Sequence, residues 1–138
     1  SPHQQPTQVP MKVFLICLFA ILSTTIPLRA MEKVVSDAGH YVLTLGSPLD
    51  QLRIGHYQSL ELLIEDAFGQ RLPGADIVVK GGMPGHGHGL PTSPKAVEIE
   101  EGLYRVNGLK FTMPGLWELM LEVQRDGITD FAIIKFKL

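Results

Sequence analysis

Cysteine is almost missing from this sequence: its 138 residues hold one, Cys17, and that one sits inside an apolar run near the start. The remainder of the chain can form no disulfide and offers no thiolate to a metal or a substrate. Nor does any window after residue 30 carry a 3.6-residue apolar pattern with caps, so little helix is expected. An excess of basic charge is absent too. Twelve basic residues stand against fourteen acidic ones, and a nucleic-acid partner is not expected, because backbone binding needs a basic surface. Finally, no apolar run reaches the roughly 20 residues that a spanning helix requires. The longest, Val13–Leu22, is ten.

That run has the surroundings of a secretory signal. Residues 1–10 are polar and rich in Pro and Gln, and read as an upstream extension. Met11 reads as the initiator and Lys12 as a positive n-region. Ser23-Thr24-Thr25 breaks the run, and Pro27-Leu28-Arg29-Ala30 resembles a processing region. Residues 11–30 are therefore expected to be a signal peptide; the alternative, a short uncleaved anchor, is disfavoured by length. Cleavage would leave Met31–Leu138, 108 residues and the size of one domain. Losing Lys12 and Arg29 but no acid, this domain would carry a net charge of −4. The expected location is periplasmic or extracellular, with peripheral or no membrane contact after processing.

What the chain does have is alternation of period two. After a polar lead-in over residues 31–39, Tyr41–Leu45, Leu60–Ile64, Ile77–Lys80, Val97–Glu100, Tyr104–Val106, Trp117–Gln124 and Ala132–Leu138 each alternate apolar and polar residues. Glu101-Gly102, Asn107-Gly108 and Asp126-Gly127 are turn signals, Asn107-Gly108 being the strongest. About seven short strands separated by Gly, Pro and Asn predict an immunoglobulin-like antiparallel β-sandwich over residues 40–138. Its expected interior is Leu62, Ile64, Ile77, Val79, Tyr104, Val106, Trp117, Leu119, Leu121, Ile134 and Phe136.

One stretch stands apart, Gly81-Gly82-Met83-Pro84-Gly85-His86-Gly87-His88-Gly89-Leu90-Pro91-Thr92. Five glycines and two prolines predict a loop outside any ladder. His86 and His88 flank one glycine, so an extended backbone would place them on one side, about 6–7 Å apart. Imidazole suits Cu, Zn and Ni, and thioether selects Cu(I). His86, His88 and Met83 are thus metal-ligand candidates. Beside this stands a plainer reading, in which the imidazoles bond to backbone carbonyls and hold a costly loop in place.

Met83-Pro84-Gly85-His86-Gly87-His88-Gly89-Leu90, then Gly102-Leu103-Tyr104-Arg105-Val106 and Gly108-Leu109-Lys110-Phe111-Thr112-Met113-Pro114-Gly115-Leu116-Trp117-Glu118, resemble the YtkA-like domain family, related to FixH-type proteins, over roughly Ser59 to Lys137. The resemblance implies an exported or membrane-tethered bacterial β-sandwich in a copper-handling or oxidase-assembly context, and it does not imply an enzyme. The apolar run is shorter than the anchor of a FixH protein.

A closed metal site generally takes three or four donors. Met113 is the further candidate, because Met113-Pro114-Gly115 echoes Met83-Pro84-Gly85. Alternation with Leu109 and Phe111 favours a core position for it instead. His40 and His56 read as edge histidines, and Glu118 and Glu122 as a solvated face. Neither Ser59 nor Ser93 lies in a motif that would activate a hydroxyl. The expectation is a non-enzymatic envelope domain that binds copper through Met83, His86, His88 and Met113. The alternative is a metal-free interaction or assembly module with an envelope protein partner.

Overall fold

Alternation along the chain produces nine strands in the computed structural model, which describes residues 2–3, 32–46 and 49–138. They are β1 (Lys33–Val35), β2 (Val42–Leu45), β3 (Gln58–Glu65), β4 (Asp76–Met83), β5 (His88–Gly89), β6 (Lys95–Glu100), β7 (Leu103–Leu109), β8 (Leu116–Arg125) and β9 (Ile128–Lys137). A 3-10 turn, Leu49–Gln51, precedes β3. Residues 11–30, expected to be a signal peptide and holding Cys17, lie outside the described residues, as do residues 1–10 apart from 2–3. Among the described residues, no helix is long and apolar enough to cross a membrane.

Seven strands are those the alternation predicts, and β1 and β5 are additions too short to show a period. Because β1 pairs antiparallel with β2, the sheet begins at Lys33, inside the stretch read as a lead-in. The strands form two antiparallel sheets, ordered β1-β2-β3-β7-β6 and β5-β4-β8-β9. Each presents one apolar face to the other, as a sandwich requires. Every residue expected inside is buried except Ile77, which is partly covered; Tyr41, Leu43, Leu45, Leu60, Leu109, Phe111 and Val123 join them. At the centre, the Phe111 ring meets Trp117 and Phe136 edge-on, with centroids 5.1 and 5.2 Å away. Such pairs add to the burial they accompany.

Two turn signals behave as expected and one does not. Asp126 and Gly127 both take positive φ and close a two-residue hairpin between β8 and β9. Gly102 likewise turns β6 into β7 with φ 75°. Asn107-Gly108, however, lies within β7. The β3–β7 register slips there, from Leu60 opposite Val106 to Gln58 opposite Leu109. A left-handed glycine serves a bulge as well as a turn, and here Gly108 (φ 79°) supplies the extra residue that bends the strand.

The β1–β2 turn is fastened to β9 by Asp130, which is 3% exposed. Its carboxylate accepts the Ser36 hydroxyl at 2.6 Å and the amides of Ala38, His40 and Phe131 at 3.1, 3.3 and 2.9 Å. These bonds, Ser36 foremost, hold its pKa down to about 2.

Candidate metal site on the β4–β5 hairpin

The His-rich stretch is a hairpin and not a free loop. The His86 amide donates to the Met83 carbonyl at 3.0 Å, closing a turn with Pro84 in second place, where its fixed φ fits. Gly85 does not take positive φ, so the turn is of type I. Gly87 then does (φ 64°), and swings the chain back so that His88 and Gly89 pair with Met83 and Gly82. The glycines permit this ladder where they were expected to forbid it. Gly81 faces the core, where a β-carbon would lie 2.8 Å from a Leu119 methyl and 2.9 Å from the Glu118 carbonyl oxygen. Gly82 faces outward, and a β-carbon there would collide with the His88 carbonyl oxygen and stand 3.2 Å from the Gly89 Cα. The missing side chain of Gly82 lets the β5 backbone settle over the outer face of β4.

His86 and His88 therefore hang from the open edge of the four-stranded sheet, both exposed. Their rings lie nearly parallel (26°), with centroids 6.2 Å apart. This is the separation expected for an extended strand, reached by way of a turn and a left-handed glycine. Imidazole nitrogens bind zinc-like ions at about 2.0–2.1 Å, so two rings can share an ion only with centroids within roughly 6 Å. The pair sits at that limit. Imidazole suits Zn, Cu, Fe and Ni alike, and two donors are fewer than the three or four of a closed site.

The sheet floor beneath the pair is set by register. Gly82 aligns with Glu118 and Lys135, and Lys80 with Met120 and Ile133. His88 lines a recess of about 300 Å³ with Lys80, Glu118 and Met120. His86 lines another, of about 400 Å³, with Leu116, Glu118 and Lys135. Glu118 thus stands in both recesses, its carboxylate 3.7 Å from the Lys135 ammonium.

The two methionines named from sequence are placed differently. Met83 is 1% exposed, and its methyl group packs on Gly115, 2.6 Å from where a β-carbon would be. Met113 is partly buried against the core, and its carbonyl accepts the Trp117 indole N–H at 3.0 Å. The structure brings His86 and His88 together and gives Met83 and Met113 packing roles. His40 and His56 are exposed, as edge histidines are. Among the described residues, no three His, Cys, Asp or Glu side chains group closely enough to hold a metal ion. Glu118 and Met120 were not singled out as site residues from the sequence. Alternation along β8 does turn both outward, but only the β4–β8 register puts them beside the hairpin.

A family model described as YtkA-like matches residues 47–122, more than half of the chain. The chain belongs to the YtkA-like family. No curated protein and no solved structure matches it. The YtkA-like match contains the whole β4–β5 hairpin together with Glu118 and Met120, and stops before β9, the strand that supplies Lys135 and closes the sheet. The resemblance in the Met-Pro-Gly-His-Gly-His-Gly string therefore lies within the matched region.

Proposed function

We propose that this YtkA-like domain binds copper in the bacterial cell envelope through His86 and His88 and serves copper handling or oxidase assembly, without catalysing a reaction. The observation that carries the reading is the paired, exposed imidazoles on a glycine-flanked hairpin. Among the described residues both imidazoles are exposed, and the glycines beside them let the turn that holds them close by small backbone changes. A site of this kind takes up and releases an ion readily, which suits a carrier better than a permanent structural metal. Export agrees with the donor set, since imidazole and thioether need no reducing compartment, whereas paired thiols would oxidise. Met83 and Met113 become donors only if the strand ends around them open. The test is copper uptake by the isolated chain: stoichiometric copper bound by the wild-type chain and lost in His86→Ala/His88→Ala. A wild-type chain that takes up no copper contradicts the reading.

A second reading draws on a separate observation. Val78, Met120, Phe131 and Ile133 are exposed apolar side chains on the outer face of the β5-β4-β8-β9 sheet, and a metal-free assembly module would use such a face. Capture of an envelope partner that is indifferent to chelator and to His86→Ala/His88→Ala favours it. Loss of the partner on chelation favours copper.

A further inference from the structure

The copper reading leaves the thioether donor unassigned, because the methionine nearest in sequence, Met83, is enclosed in the core. Resting on that reading, we infer that Met120 is the thioether that completes a Cu(I) site with His86 and His88. Three observations carry this. First, Met120 is 41% exposed, while Met83 is 1% exposed with its methyl group against Gly115. Second, Met120 and His88 line the same recess. Third, the geometry of the sheet explains how they meet. Met120 is opposite Lys80, and Gly82 is two residues further along β4, a diagonal cross-strand position. Diagonal neighbours stand about 7–8 Å apart, within reach of a long side chain. The His88 carbonyl oxygen lies against Gly82, which brings the His88 backbone to that diagonal.

The chemistry agrees with the placement. Methionine is long, unbranched and polarizable, and can swing its sulfur towards an ion without moving the backbone. With two imidazoles and one thioether the set is soft enough to select Cu(I), while the imidazoles alone still accept Cu(II). The Glu118 carboxylate is offset by Lys135 at 3.7 Å and by Lys80 in the same recess, so the imidazole and thioether donors carry the binding. Met120 also has no core to fill: it lies between Lys80 and Ile133 on the outer face. Its removal therefore leaves the fold intact.

The test is titration of the full chain with Cu(I) in a competing chelator, and with the air-stable mimic Ag(I), while methionine methyl resonances are followed. Met120→Leu and Met83→Leu assign the signals. The Met120 methyl should shift on metal addition and the Met83 methyl should not. Met120→Leu should weaken Cu(I) binding by about tenfold or more, the lower end of what even outer-shell changes cost, and leave Cu(II) binding unchanged. A shift of the Met83 or Met113 methyl instead, or full Cu(I) affinity in Met120→Leu, overturns this assignment while the copper reading stands. Failure of the wild-type chain to bind Cu(I), Ag(I) or Cu(II) overturns both.

Discussion

The methyl group of Met83 rests on Gly115, at a position where a β-carbon would be 2.6 Å away. This contact joins the two Met-Pro-Gly segments that the sequence repeats, one ending β4 and the other preceding β8. Gly115 is itself tied to Leu138 by reciprocal backbone bonds of 2.9 and 3.0 Å. The repeat is thus a packing device, in which the thioether of one segment fills space beside the glycine of the other.

Gly115→Ala should destabilise the domain by about 1–3 kcal/mol, the usual cost of a strained backbone position. The flexible end of Met83 can move aside, so the larger cost comes from the backbone, whose φ of 136° side chains rarely adopt. Urea denaturation gives the value. A neutral substitution would show that Gly115 relaxes freely.

Gly82→Ala should act on the hairpin and spare the core. The obstacle there is backbone, the His88 carbonyl, and it cannot rotate out of the way as a side chain can. The β5 segment must lift from the sheet, separating His88 from the Met120 recess. The expected outcome is shifted His86 and His88 imidazole resonances with copper affinity reduced by about tenfold or more, at little loss of global stability. Unchanged spectra would show that the close approach does not position the ring.

Trp117→Ala should cost about 3–5 kcal/mol, the range for emptying a buried aromatic site. The indole is fully buried, meets Phe111 edge-on and donates to the Met113 carbonyl. The substitution therefore removes packing, an aromatic pair and the anchor of the Met113 segment together. A chemical-denaturation midpoint close to that of the wild type would contradict this account of the core.

Asp130 makes stability depend on acid. Its pKa falls from the ordinary 3.8 to about 2 in the folded chain, so the unfolded state binds its proton first as pH drops. The stabilisation is complete above the ordinary value and is lost as pH falls from about 3.8 towards 2. Asp130→Asn should be less stable at neutral pH and show a flatter decline over that window. Parallel pH–stability curves for the two proteins would assign the acid response to other groups.

Much of the sandwich is readable from alternation, because a half-buried strand writes its two faces into the sequence: Trp117, Leu119, Leu121 and Val123 against Glu118, Glu122 and Gln124. β1 and β5 are not readable, since three and two residues cannot display a period. Asn107-Gly108 misleads because a left-handed glycine is needed equally by a hairpin turn and by a bulge. Similarly, Gly81 and Gly82 read as ladder breakers, while their role is to let side chains and backbone approach β4 closely. In the candidate site, His86 and His88 are local and therefore visible in the sequence. Met120 is 32 residues beyond His88, and only strand register brings the two to one recess.

Copper binding at the hairpin is tested most directly by titrating the full chain and its His86→Ala/His88→Ala variant with Cu(II) and Cu(I) against competing chelators. The wild-type chain should compete successfully for both ions. The double variant should lose that binding while keeping its β-sheet circular dichroism spectrum. Equal binding by the two proteins, weak or strong, would contradict the assignment of copper to His86 and His88.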